Sequence, residues 1–201
     1  MGYIAIVDYG AGNLLSVSKA FGYLGIETKI TNDSSEIERA DAVVLPGVGA
    51  FPDAMEMLKA ENLIELLKKE AVKKPFLGIC LGMQMLFDKS TEIKETTGLS
   101  LIPGEVTKIK TQYKLPQTGW NSLKLVNPSQ LTKNLPENAY VYFVHSFSAN
   151  VKNRENLAAV CYYGTEVTAL IQKDAIFGCQ FHPEKSGETG LMMLKNFGEL
   201  I

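Results

Sequence analysis

The first half of the chain alternates unbroken apolar runs with segments whose apolar residues recur at helical spacing. An unbroken apolar run is typical of a strand buried on both faces. The segments between the runs have the spacing of amphipathic helices. This alternation predicts a parallel sheet with helices on both faces. The predicted strands are residues 3–8, 26–30, 41–47 and 75–79, and the predicted helices are residues 13–25, 34–40 and 53–74.

After about residue 95 the pattern changes to short strand-like runs separated by turn residues. They predict a mixed or antiparallel extension of the same sheet, and residues 187–200 predict a closing amphipathic helix. Because neither a repeat nor a linker interrupts the chain, we expect one α/β domain over residues 1–201, with a central, mainly parallel (mixed) sheet flanked by helices. The short strands are predicted at residues 99–110, 119–126, 140–147, 158–163, 167–172 and 176–181.

Composition narrows the possible functions mainly by exclusion. The net charge of −2 and the dispersed basic residues argue against a nucleic-acid partner. Apolar stretches are too short to span a membrane, and the first ten residues lack the basic region of a signal peptide. Three cysteines without a Cys-x-x-Cys motif favour neither a disulfide framework nor a metal site. We therefore expect a cytoplasmic protein without a membrane partner.

The glycine loop after the first predicted strand resembles a dinucleotide-binding fingerprint only in part. Gly10 and Gly12 stand at the strand-to-helix turn, but Leu15 occupies the position of the third glycine. No acidic residue closes the second predicted strand, where such a site needs one. We therefore expect a tight turn at this place, and no nicotinamide or other cofactor.

The segment GICLGMQ, residues 78–84, carries the strongest chemical signal. Cys80 stands between Gly78 and Gly82, with a predicted buried strand before it and a predicted helix after it. This is the pattern of a nucleophile on a sharp strand-to-helix turn. The helix N-terminus favours thiolate over thiol, and the backbone N–H of Leu81 is placed to stabilise an oxyanion. A buried structural cysteine is the alternative, but it does not explain the paired glycines.

A histidine is the usual base for a thiolate nucleophile, and the chain has two. His182 follows a predicted strand, and Glu184 lies two residues later, on the same side of an extended segment. A carboxylate there can fix the imidazole tautomer and support the imidazolium. His145 lies within a predicted strand, which favours a hydrogen-bonded core or near-site residue. The glycines of residues 46–49 leave room for a second oxyanion donor.

Together, GICLGMQ, FHPEKS and PGVGAF resemble the motifs of the class I, triad-type glutamine amidotransferases, which have a flavodoxin-like fold. VDYGAGNLLSV, GWN and YFVHSF are similar to the glutaminase subunits of imidazole glycerol phosphate synthases within that family. The similarity extends over essentially the whole chain. The cysteine and His-Pro-Glu motifs are specific to the class, whereas the GAGN and GWN motifs indicate the narrower group.

The resemblance implies a mechanism. Cys80 attacks the side-chain amide of glutamine, His182 shuttles the proton and Glu184 orients the imidazole of His182. Ammonia leaves, and water hydrolyses the γ-glutamyl thioester. The backbone N–H groups of Leu81 and Gly49 hold the oxyanion. The positions that match substrate-binding residues of the family are Gly47, Gln84, Glu92, Ser146 and Phe147.

The resemblance also implies a partner. In the family the ammonia passes to a cyclase subunit with a TIM-barrel fold, which makes imidazole glycerol phosphate, and the two chains form a heterodimer. By similarity, Asn13 and Trp120 would face that partner.

One departure leaves the ammonia acceptor open. The family has histidine in Pro-His-x-Gly-Trp-Asn, where this chain has Gln117, and we expect Gln117 to alter a loop near the partner. The same glutaminase chemistry could then serve a cyclase-like partner in sugar-nucleotide amidation. A stand-alone cysteine hydrolase would have the same triad without a partner. A non-catalytic α/β binding module is the least compatible with Cys80, His182 and Glu184.

Overall fold

The computed structural model describes residues 2–201, and within them six α-helices and fourteen strands alternate in the first half and segregate in the second. The helices are α1 Leu14–Tyr23, α2 Ser34–Arg39, α3 Phe51–Ala60, α4 Ile64–Ala71, α5 Leu81–Met85 and α6 Gly187–Gly198. The strands are β1 Ile4–Val7, β2 Thr28–Thr31, β3 Ala42–Gly47, β4 Phe76–Cys80, β5 Phe87–Ser90, β6 Thr96–Thr97, β7 Ile102–Lys108, β8 Gln117–Ser122, β9 Lys124–Leu125, β10 Tyr140–His145, β11 Phe147–Val151, β12 Leu157–Tyr162, β13 Glu166–Lys173 and β14 Ile176–Cys179.

The main sheet has eight strands in the order β2-β1-β3-β4-β14-β13-β12-β9. The pairs from β2 to β14 are parallel, and the remaining pairs are antiparallel. The apolar runs of β1, β3 and β4 are buried along their whole length because helices cover both faces. α1 and α6 pack on one face, and α3 and α4 pack on the other. The predicted α/β fold with a mixed central sheet is confirmed.

The second half forms more sheets than the sequence predicts. β9 and β12–β14 extend the main sheet, but β8 pairs with β10 alone, and β11, β7, β5 and β6 form a separate sheet. The expectation of a single extended sheet is therefore wrong. The predicted strand at residues 140–147 is interrupted at Ser146. Its first part, β10, pairs with β8, and the strand that follows, β11, pairs with β7. Pairing depends on such non-local contacts, which a strand's own pattern does not contain.

Two predicted helices also differ from the observed ones. The segment at residues 53–74 is two helices, because Asn62 has φ 56° and turns the chain between α3 and α4. Asparagine tolerates this left-handed conformation better than most residues. The predicted helix at residues 81–87 has only five residues, since Phe87 already begins β5. In the part of the chain that the structure describes, no helix is long and apolar enough to cross a membrane.

Candidate active site

Cys80 ends β4 at a sharp turn. Its backbone has φ 56° and ψ −112°, a conformation that L-residues rarely adopt. The flanking glycines are required by close backbone contacts: a Cβ on Gly82 would overlap the carbonyl oxygen of Leu45, and one on Gly78 would lie 2.7 Å from the carbonyl oxygen of Gly82. The predicted strand-to-helix turn is therefore confirmed in its local geometry.

His182 and Glu184 lie beside this turn because β14 pairs in parallel with β4. His182 follows the end of β14 and is buried, and its Nδ1 lies 2.9 Å from Oε1 of Glu184. Its backbone N–H donates to the carbonyl of Tyr142, and its carbonyl accepts from the hydroxyl of Ser186. His182 is thus held in place through both its imidazole ring and its backbone.

The electrostatics of the site favour a charged imidazole. Burial lowers the pKa of His182, but the hydrogen bonds and charges of Cys80 and Glu184 outweigh burial and raise that pKa to about 9. The pKa of His145 moves the other way, to about 4, mainly because of its burial. Nδ1 of His145 lies 2.7 Å from the carbonyl oxygen of Phe147, so the neutral ring donates from Nδ1.

These opposite shifts predict a clear NMR titration, because the chain has only two histidines. We expect the Cε1 proton of His182 to titrate near pH 9 and that of His145 to remain in its neutral form down to about pH 4. In a Cys80→Ser variant the His182 midpoint should fall, because the sulfur that helps to raise the pKa of His182 is gone. A His145→Gln variant assigns the two signals. Two midpoints near the ordinary value of about 6.5 would contradict the arrangement.

Cys80 and His182 open into a cavity of about 400 Å³, within the size range of small-molecule sites. Six of the other predicted site residues line this cavity: Gly49, Leu81, Gln84, Glu92, Ser146 and Phe147. The structure therefore brings most of the predicted set together. The remaining lining residues, which the sequence did not single out as substrate-binding, are Val48, Pro116, Val144 and His145.

Glu92 is held at this cavity by helix α3. Its Oε2 accepts a 2.8 Å hydrogen bond from the backbone N–H of Phe51, in the first turn of the helix. Gly47 has a different place: it lies in β3 and is buried, and a Cβ on it would come within 2.8 Å of the Tyr9 hydroxyl and of the Gly82 nitrogen. Gly47 thus packs beneath the turn and does not line the cavity, and its predicted role in substrate binding stays a prediction.

The two residues that are predicted to face the partner differ in solvent exposure. Trp120 is 56% exposed on β8, and its ring packs edge-on against Tyr142 at a centroid distance of 6.1 Å. Asn13 precedes α1 and is half-buried, and its Nδ2 donates to Oε1 of Glu184 over 3.3 Å. The sequence did not predict this contact, which joins the glycine loop to the carboxylate beside His182.

Gln117 lies in strand β8, so the expectation that it alters a loop is wrong. It is buried at the start of β8, opposite His145 in the pairing register of β10. Its Nε2 contacts the sulfur of Cys161 at 3.5 Å. The side chain points inward because the residues of β8 alternate between its two faces.

Two residues near Cys80 were missed. Gln180 is fully buried with its Nε2 3.8 Å from the Cys80 sulfur, and the Tyr9 hydroxyl donates to the carbonyl of Pro46 over 3.0 Å. Burial raises the pKa of Tyr9, so its hydroxyl remains protonated. Gln180 could have been found, because it precedes His182 by two residues and extended chains repeat every two residues. No sequence signal distinguishes Tyr9.

The model of the glutamine amidotransferase class I family matches residues 5–200. The chain is 51% identical to imidazole glycerol phosphate synthase subunit HisH of Caldanaerobacter subterraneus subsp. tengcongensis and 52% identical to that of Lactococcus lactis subsp. lactis. Each alignment covers 98% of both chains. The HisH of Bacillus cereus is 49% identical over 98% of this chain and 95% of its own.

Solved structures show the same fold at low sequence identity. A glutamine amidotransferase structure has a TM-score of 0.76 at 17% identity, covering 98% of this chain and all of its own. PurLQS from Thermotoga maritima has a TM-score of 0.75 at 17% identity, covering 98% of this chain and 97% of that one. Given the family match and the near full-length relatives, the chain belongs to the class I glutamine amidotransferases and, within them, to the group of imidazole glycerol phosphate synthase HisH subunits.

Proposed function

We propose that this protein is the glutaminase subunit of an imidazole glycerol phosphate synthase. It hydrolyses glutamine to glutamate and ammonia and delivers the ammonia to a cyclase subunit that makes imidazole glycerol phosphate in histidine biosynthesis. The single observation that carries the chemistry is that Cys80 and His182 line one cavity while the buried Glu184 carboxylate bonds the imidazole of His182. The HisH relatives at 49–52% identity support the pathway.

In the first step, the Cys80 thiolate attacks the amide carbon of glutamine. The raised pKa of His182 keeps its imidazole protonated, so it can donate a proton to the departing nitrogen, which leaves as ammonia. His182 then takes a proton from water as the water attacks the γ-glutamyl thioester, and glutamate leaves as the sulfur–carbon bond breaks. Glu184 holds the imidazole tautomer throughout.

The backbone N–H groups of Leu81 and Gly49 are the proposed oxyanion donors, since both residues line the cavity beside Cys80. Gln84, Glu92, Ser146 and Phe147 line the rest of the cavity and are the proposed contacts for the α-amino and α-carboxyl groups of glutamine. The Glu92 carboxylate suits the α-ammonium, because opposite charges attract strongly where water is excluded.

The proposed partner is a cyclase subunit with a TIM-barrel fold, bound as a heterodimer in the cytoplasm. Residues 1–201 would act as one glutaminase domain within this assembly. Trp120 offers an exposed aromatic surface, the kind of residue that is enriched at protein interfaces. Asn13 would connect the interface to the site, because its side chain contacts Glu184.

The other candidate partner is a cyclase-like chain in sugar-nucleotide amidation. Gln117 is the residue that suggests this alternative. It is buried against Cys161 and therefore does not present a changed surface to a partner. The names of the relatives also favour the histidine pathway.

A glutaminase assay with and without a TIM-barrel cyclase subunit and its nucleotide ligand tests the proposal. We expect slow glutamate release from the chain alone and an increase of about 100-fold with cyclase and ligand, in the upper range of coupling between two sites. Cys80→Ala in the same mixture is the control for background hydrolysis. Full activity of the chain alone would favour a stand-alone hydrolase. Activation only by a cyclase-like partner of sugar-nucleotide amidation would contradict the role in histidine biosynthesis.

A further inference from the structure

Gln180 is a fully buried amide that no step of the proposed mechanism uses. Its backbone N–H donates to the carbonyl of Ala169 on β13, which fixes the residue just beyond β14. Its side chain lies between two residues of the site. Nε2 is 3.8 Å from the sulfur of Cys80, and Oε1 is 2.9 Å from Nε2 of Gln84.

The hydrogen-bond network fixes which end of each amide points where. Nε2 of Gln84 lies 3.1 Å from the backbone carbonyl oxygen of Phe147, which can only accept, so this end of Gln84 must be its NH₂ group. The atom of Gln180 that faces the same NH₂ group at 2.9 Å must then be its oxygen. The NH₂ group of Gln180 is therefore directed at the Cys80 sulfur.

This orientation leaves one acceptor of Gln84 for the cavity. Both contacts of its NH₂ group are to protein oxygens, and within residues 2–201 its Oε1 accepts no hydrogen bond and is not enclosed. Since Gln84 lines the cavity, Oε1 is the atom that remains for a donor group of the substrate.

We propose that Gln180 is a positioning residue that couples the state of the sulfur to the orientation of Gln84. The inference rests on the proposed role of Cys80 as nucleophile. The N–H of Gln180 donates to the thiolate more strongly than to the thiol, because a hydrogen bond to a charged acceptor is the stronger one. Through its carbonyl, the same side chain holds the NH₂ group of Gln84 and so keeps Oε1 turned to the cavity.

The test is the pH profile of Cys80 alkylation by iodoacetamide in the full chain, followed by mass spectrometry of the Cys80 peptide. Cys161 and Cys179 interfere little, because burial raises the pKa of Cys161 to about 11 and raises that of Cys179 well above its ordinary value. Gln180→Met removes the donor while keeping an apolar side chain of similar length. We expect alkylation to be about tenfold slower at pH 7 and equal to the unsubstituted protein at high pH.

Gln117→Met is the matched control, since Gln117 is equally buried but contacts Cys161. It should alkylate Cys80 with the unsubstituted profile, even if its melting temperature falls. If Gln180→Met does not fold, Gln180→Glu keeps the acceptor for Gln84 and places an acid where the N–H stood. It should slow alkylation at pH 8, where the carboxylate repels the thiolate.

The kinetics of glutamine hydrolysis provide a second measurement. In Gln180→Met we expect KM to rise and kcat to fall. The variant loses the hydrogen bond that orients Gln84, and it also loses the hydrogen bond that stabilises the Cys80 thiolate. An alkylation profile that coincides with that of Gln117→Met would overturn the inference. A decrease of the alkylation rate by the same factor at every pH would also overturn it. Neither result affects the proposed function, which fails separately if Cys80→Ala still hydrolyses glutamine.

Discussion

Replacing Cys80 with alanine is expected to lower glutamine hydrolysis by about 10⁴-fold or more in the presence of the cyclase partner. The thioester cannot form without the sulfur, and Cys80 is the only cysteine among the residues that line the cavity with His182. Glutamate release measured under partner-activated conditions gives the comparison, because a slow basal rate would hide a loss of this size.

Cys161→Ala is the control for this substitution. Cys161 is a buried thiol in β12 and does not line the cavity, so its removal should leave the rate of glutamate release near that of the unsubstituted protein. A Cys80→Ala variant that keeps more than about a tenth of the activity would show that the sulfur is not the nucleophile.

Replacing Gly82 with alanine is expected to lower the free energy of unfolding by about 3 kcal/mol, the upper part of the range for overpacked sites. The added Cβ would overlap the carbonyl oxygen of Leu45, which belongs to the central strand β3 and cannot move aside without breaking the pairing of β3 with β4. Urea denaturation followed by circular dichroism measures the difference.

Gly22→Ala serves as the matched control, since Gly22 lies within α1 and a Cβ on it meets no atom within 4 Å. Alanine there should be neutral or stabilise the protein by up to about 1 kcal/mol, because it is the better helix former. Equal stabilities of the two variants would mean that the turn at Cys80 can relax around an extra methyl group.

The residues around Cys80 could be predicted from the sequence because their signal is local. Glycines two residues before and after a cysteine, between an apolar run and a helical segment, specify the turn by steric exclusion alone. The parallel strands β1, β3 and β4 were predicted for the same reason, since burial on both faces leaves an unbroken apolar run.

The remaining features depend on residues far apart in the chain. The inward direction of Gln117, the contact from Asn13 to Glu184 and the contact from Gln180 to Cys80 all follow from strand pairings or loop positions that join distant segments. A propensity or a short motif contains no information about such pairings. Two features do have a local signal: the break at Asn62 lies within the predicted helix, and Gln180 precedes His182 by two residues of extended chain.

The parallel pairing of β4 with β14 places Gly78 opposite Gly178, about a hundred residues later in the chain. During synthesis, Cys80 emerges long before His182, Glu184 and Gln180. A chain that ends before β14 therefore lacks His182, Glu184 and Gln180, so the site cannot form until nearly the whole sequence is present.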